Sequence, residues 1–241
     1  MGGMKTMFLG AAVNASLIEW LGPYSSWIVF LVCVVLAVVF FRPLFQLLGI
    51  VIVPEDRIGL VTKKFVLFGA NKEIPAGRII AINGEAGFQA QTLAPGIYFW
   101  KWIWQYEIRL QPFVVIPDGA IGLVMAKDGR ELTAGSVLAR RVESDMFQNA
   151  ESFLRNGGQK GRQAAYLTPG TYRINAFIFE ITLAKVTQIK ENMVGICTTL
   201  DGAPLPEGQI AGRMIEGHNN FQDADAFLAN GGSRGLQPHV I

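Results

Sequence analysis

Apolar residues run unbroken from Trp27 to Phe41, and after about residue 50 they alternate with polar ones in short stretches. The unbroken run has no polar face to turn toward water, so it predicts a helix that is apolar on every side. Ser25 to Phe41 carries no charged residue. With Leu44 to Val53 beyond Arg42-Pro43, the stretch exceeds the about 20 residues that cross a hydrocarbon core of about 30 Å. We read residues 25–50 as a transmembrane helix; the other reading of such a run is a buried core helix. Residues 1–24 are more weakly patterned. They read as an interfacial segment with Leu17, Ile18 and Trp20 against the bilayer, the other reading being a signal peptide in which Lys5 precedes Met7-Phe8-Leu9.

Beyond the helix the alternation is that of strands broken by turns. Leu93-Ala94-Pro95-Gly96-Ile97-Tyr98 returns as Leu167-Thr168-Pro169-Gly170-Thr171-Tyr172. Pro95 and Pro169 preset φ at one corner of a turn, and Gly96 and Gly170 accept positive φ at the next. Each turn feeds a strand. Other phrases repeat as well. Ile58-Gly59-Leu60-Val61, Ile121-Gly122-Leu123-Val124 and Val194-Gly195-Ile196-Cys197 each place glycine inside an apolar strand, the mark of a bulge or a close backbone approach. Gly87-Phe88-Gln89, Gly161-Arg162-Gln163 and Gly235-Leu236-Gln237 recur at 161 − 87 = 74 and 235 − 161 = 74 residues. Regular spacing of this kind defines a repeat protein.

The later two repeats share an inserted helix. Ser144 or Asp145 caps it, Met146, Phe147, Ala150, Phe153 and Leu154 form its apolar face, and Asn156-Gly157-Gly158 stops it. The copy uses Asn220, then Phe221, Ala224, Phe227 and Leu228, then Asn230-Gly231-Gly232. The expected fold is therefore mainly β with some α: a transmembrane helix (25–50) and tandem small β-modules over 51–114, 115–187 and 188–241, two of them with an inserted helix. The third module is unfinished, because Ile241 matches Leu167, which opens the Pro-Gly phrase. We expect the sequence to be the N-terminal part of a longer polypeptide.

Composition changes this picture little. The 51% hydrophobic content and mean hydropathy of +0.32 agree with a membrane segment. The net charge of +2 gives no reason to expect nucleic acid. Cys33 and Cys197 lie in different settings and are not expected to pair, and two histidines without a cysteine cluster make a zinc site unexpected. Arg42, Arg57, Lys63 and Lys64 follow the helix against Lys5 before it. The positive-inside rule then gives a single-pass protein of the cell membrane with its C-terminal part in the cytoplasm.

A membrane segment, then Val53-Pro54-Glu55-Asp56-Arg57-Ile58-Gly59-Leu60-Val61, then Leu93-Ala94-Pro95-Gly96-Ile97-Tyr98-Phe99 and a strand pattern to Leu110, resembles the start of a stomatin/prohibitin/flotillin (SPFH, band-7) protein. The tandem copies behind it resemble the β-modules of the major vault protein. Ordinary SPFH members carry one such module, an α/β part and a long coiled coil; more modules follow here, and no heptad stretch is present. The resemblance implies a homo-oligomeric ring or cage that organises membrane lipids or encloses a membrane-protein client such as a protease. An adaptor subunit of an export system, or an accessory subunit of a membrane protease, are the other functional readings.

No cofactor or metal is expected. No phosphate loop or nucleophile elbow appears, so no catalytic residue is assigned. The residues expected to contact membrane are Trp20, Trp27, Phe30, Phe40, Phe41, Phe65, Phe68, Trp100, Trp102 and Trp104. Tyr98, Trp100, Trp102, Trp104 and Tyr106 alternate, so they are expected on one face of a strand, either dipping into the headgroups or packed as a sheet core. Phe65-Val66-Leu67-Phe68 beside Lys63 and Lys64 is either a headgroup contact or a buried strand. Arg140, Arg141, Glu143, Asp145, Arg213 and Glu216 read as solvated faces, available for pairing between neighbouring copies.

Overall fold

The computed structural model describes residues 25–41, 45, 47–67 and 73–241. They form two compact units, one built on the first helix and Tyr98–Ile103, the other on Ile52–Ile97 and Trp104–Ile241.

In the first unit, helix α1 covers Ser25–Val39. Residues 26–41 are exposed throughout. At 1.5 Å per residue, its 15 residues span about 22 Å. Among the described residues, no helix is long and apolar enough to cross a membrane. Helical residues recur at Phe41, Phe45 and Leu47, while Arg42-Pro43-Leu44 and Gln46 lie outside the described residues. So do residues 1–24, including Trp20, and Phe68.

The second unit is mainly β and repeats one plan. Its strands are β1 (Val51–Val53, reaching in from the boundary), β2 (Arg57–Lys63), β3 (Ile80–Ala81), β4 (Gly87–Leu93), β5 (Gly96–Tyr98), β6 (Tyr106–Pro112), β7 (Val114–Ile116), β8 (Ala120–Ala126), β9 (Gly161–Leu167), β10 (Gly170–Tyr172), β11 (Phe179–Lys185), β12 (Ile196–Thr199) and β13 (Gly235–Val240). Helix α2 (Ala150–Arg155) precedes β9, and helix α3 (Ala224–Ala229) precedes β13.

In the first module, β2 pairs antiparallel with β6 over its whole length and with β4 on its other side, giving the order β3-β4-β2-β6. The second module repeats this as β11-β8-β9. The third repeats only the β12-β13 pair. All three copies break register within the pair that ends on the Gly-x-Gln strand, between Leu60 and Thr62, Leu123 and Met125, and Ile196 and Thr198. The strand glycines are close approaches as expected. A Cβ on Gly59 would press on Leu93 and Ile108, and one on Gly122 on Ile116, Ile181 and Leu167.

The Gly-x-Gln phrase has a local cause. Gln89 Nε2 donates to the carbonyls of Glu85 and Gly87 (both 2.9 Å). Gln163 does the same to Gln159 and Gly161 (2.8 and 3.0 Å), and Gln237 to Ser233 and Gly235 (2.7 and 3.0 Å). The curl that brings these carbonyls onto one amide needs positive φ, 115°, 104° and 107° at Gly87, Gly161 and Gly235.

The Pro-Gly turns feed strands as expected, but into separate two-stranded sheets. β5 joins β1, and β10 joins β7. The aromatic strand is a correction. β5 ends at Tyr98 and β6 begins at Tyr106, and the chain between them follows no strand. Trp100 has φ of 63°, a left-handed residue that breaks the alternation. The tryptophans therefore do not share a strand face.

The inserted helices are the second correction. They begin later than expected, with Asn149 and Asp223 as caps accepting from Ser152 N and Ala226 N (both 2.9 Å). Asp145, Met146 and Phe147 are left-handed (φ 51°, 50° and 63°), as are Asn219, Asn220 and Phe221 (45°, 51° and 62°). This turn drives the Phe147 ring into the core against Phe153 and Phe179, at centroid distances of 6.1 and 5.3 Å. Ser144 Oγ and His218 Nδ1 hold it closed by accepting from Phe147 N and Phe221 N (3.3 and 2.8 Å).

The main core belongs to the second module (Phe153, Leu167, Ile174, Ile178, Phe179) but includes Ile80 and Ala90 of the first. Adjacent modules thus share apolar burial.

Candidate functional site

Of the predicted membrane-contact residues, all but Trp20 and Phe68 lie among the described residues. Trp27 and Phe30 lie on α1, 71% and 62% exposed, their rings edge-on at 6.3 Å, and Phe40 and Phe41 follow it, also exposed. In the same unit Phe99 and Trp100 are exposed, Trp102 packs edge-on against Trp100 at 6.2 Å, and the Lys101 amide donates to Gly49 O (2.9 Å). In the second unit, Phe65 and Trp104 stack at 5.8 Å while both remain exposed, with exposed Leu67 beside them. Phe65-Val66-Leu67 is not a buried strand: it follows β2 as irregular chain. Lys63 Nζ donates to Gly84 O (2.8 Å).

The structure also shows a device that the sequence reading missed, the joint between modules. Asp128, 2% exposed, accepts through Oδ2 from the amides of Ile79 and Ile80 (2.8 and 2.7 Å) and through Oδ1 from Gly129 N (2.8 Å). Asp201, 6% exposed, accepts through Oδ2 from Val137 N and Leu138 N (2.9 and 2.7 Å) and through Oδ1 from Gly202 N (2.7 Å). Each carboxylate thus reaches back into the preceding module and takes two consecutive amides at the same place. A buried carboxylate is retained only where such donors replace its water.

The register identifies the counterpart in the first module. Lys63, Ala126 and Thr199 pair with Gly87, Gly161 and Gly235. Two residues further on stand Phe65, Asp128 and Asp201. The first module therefore has an exposed phenylalanine where the others have the joining aspartate.

Further contacts close the joints. Asn175, 1% exposed, donates to Gln89 O and Ala90 O (3.1 and 2.9 Å), and Phe177 packs on Phe88 at 4.3 Å. Gln91 Nε2 donates to Glu151 (2.7 Å), while Arg141 N donates to Asp225 Oδ1 (2.9 Å). The Gln91 bond leads in holding the Glu151 carboxyl below the usual range, against a burial that raises it and with help from Arg155. A cavity of about 230 Å³ lined by Leu138, Asp201, Phe221, Phe227 and Leu228 remains at the second joint.

The first module has no inserted helix and closes its loop with Glu85, 2% exposed. Its carboxylate accepts from Ile82 N and Asn83 N (3.1 and 2.7 Å), with Arg78 at 3.8 Å. Burial works to raise its pKa. The bonds from its own amide and from Asn83, together with the Arg78 charge, outweigh burial and leave it lowered.

Arg141 takes part in the second joint through its amide, whereas Glu143 O and Glu216 O accept within their own modules from Asn156 and Asn230 Nδ2 (2.7 and 3.0 Å). Among the described residues, no group of three or more His, Cys, Asp or Glu is placed to hold a metal ion. Comparison with protein-family models, with curated proteins and with solved structures finds no match.

Proposed function

We propose that this protein is a membrane-anchored scaffold of SPFH type that works by oligomerisation, organising membrane lipids or enclosing a membrane-protein client. The observation that carries the reading is α1. Together with Phe40 and Phe41 behind it, it exposes an apolar surface from Trp27 onward without a charged residue. Contiguous exposed patches of that extent mark contact with a membrane or another protein. The exposed Phe99 and Trp100 in one unit, and Phe65, Leu67 and Trp104 in the other, suit an interface in which aromatic rings are favoured. The modules keep open sheet edges at β6 and β11, and such edges favour side-by-side pairing of copies.

Extraction from native membranes tests both parts. Release by alkaline carbonate without detergent refutes the anchor. Electron microscopy of the protein in mild detergent is expected to show closed rings or domes of many copies. Monomers, or a small tube leading to a second membrane protein, refute the ring and support an export adaptor.

A further inference from the structure

The joint has a donor half and an acceptor half, and the acceptor half of the third module is open. The acceptor amides are located by the parallel pairing beside them. Ala139 N donates to Arg162 O (2.7 Å), and the two amides before it, Val137 and Leu138, hold Asp201. In the third module Gly212 N donates to Leu236 O (2.8 Å), so the matching amides are those of Ile210 and Ala211. No carboxylate among the described residues accepts from them, and Ile210 is 84% exposed against 46% for Val137. In both observed joints the two consecutive amides at this place converge on one carboxylate oxygen.

We propose that Ile210-Ala211 is a docking site for the Asp-Gly turn of a further module of this repeat, carried next in order on the same polypeptide. Both observed joints link consecutive modules and use Asp-Gly, Asp128-Gly129 and Asp201-Gly202. A second copy of this chain does not fit the site. Its Asp128-Gly129 and Asp201-Gly202 turns are occupied, its exposed Asp118-Gly119 turn precedes β8 instead of following the strand that pairs with the Gly-x-Gln strand, and its first module offers Phe65-Val66 at the matching place. Copies therefore do not join head to tail through this contact.

Hydrogen exchange resolved at Ile210 and Ala211 tests the assignment, comparing the 241-residue chain with the protein isolated from its own membranes. In the 241-residue chain these amides are expected to exchange about 100-fold faster than Val137 and Leu138. In the native protein they are expected to match Val137 and Leu138 within about tenfold. Fast exchange in both samples overturns the docking site. Protection in a native protein whose intact mass equals residues 1–241 overturns the same-polypeptide source and assigns the turn to another protein.

Discussion

Replacing Asp128 by alanine removes the acceptor for three amides at once, Ile79, Ile80 and Gly129. A buried amide left without a partner costs about 1–3 kcal/mol. Ile80 is fully buried and takes the full penalty, whereas Ile79, 53% exposed, recovers much of its bond from water. The net loss at the joint is then about 3 kcal/mol. At about 1.4 kcal/mol per tenfold, exchange of the Ile79 and Ile80 amides accelerates on the order of 100-fold. Native-state hydrogen exchange reads this directly and assumes no two-state unfolding of the array. Asp128→Asn keeps the shape but turns one acceptor oxygen into a donor, so it gives a smaller acceleration at the same amides. Val137 and Leu138, held by Asp201, should remain slow in both variants. Rates for Ile79 and Ile80 within about threefold of the wild type in Asp128→Ala would refute the joint as a source of stability.

Three further outcomes follow from the same contacts. Glu85 holds a lowered pKa in the folded chain, so its contribution is complete above the ordinary carboxylate value of about 4.3 and is lost as pH falls through the lower folded value. Protection of the Asn83 amide should fall over that window, and Glu85→Gln should remove the pH dependence. Gly158→Ala would set a methyl group 2.5 Å from the Phe153 ring, which is fully buried; a loss of about 1–3 kcal/mol is expected in chemical denaturation, against a smaller loss from φ strain alone for Gly77→Ala, where the added atom meets nothing. Asn175→Ala leaves Gln89 O and Ala90 O without their donor and opens a cavity. It should cost about 2 kcal/mol, and a double-mutant cycle with Asp128→Ala should show coupling, since both residues hold the same joint.

What the sequence displayed and what it hid separate along physical lines. Gly-x-Gln was legible because both residues are demanded locally, glycine by φ and glutamine by the carbonyls curled beneath it. The strand glycines were legible for a similar reason, since nothing larger than hydrogen fits. The helix starts were misplaced because Met146 and Phe147 match helical spacing, while the left-handed turn that buries Phe147 depends on tertiary contacts with Phe153 and Phe179. The tryptophan segment alternates on paper, yet Trp100 takes a left-handed backbone that no pattern rule assigns to tryptophan. The joint was hidden for a different reason. Asp-Gly is a common turn, and Asp128 bonds to residues 48 and 49 positions away. Superposing the three copies on Lys63, Ala126 and Thr199 would have exposed it, since aspartate recurs in two and phenylalanine stands in the third.

That single exception gives the array its direction. Every joint is made by the later module reaching back to the earlier one, and the earlier module supplies part of the later one's core, as Ile80 and Ala90 do for the second. Stability in such an array is a sum of nearest-neighbour terms, so each joint stiffens the modules on both sides of it. The first module receives an aspartate and presents none, and Phe65 stacked on Trp104 takes that place with an apolar face exposed. Both observed joint carboxylates meet an amide pair of the preceding module, and among the described residues no module precedes the first. Aspartate is the better occupant of a face that meets the amides of another module, as Asp128 and Asp201 do. The difference between Phe65 and Asp128 thus separates the first module's face from the joints between modules, and it does so without altering the pairing of β2 with β4 and β6.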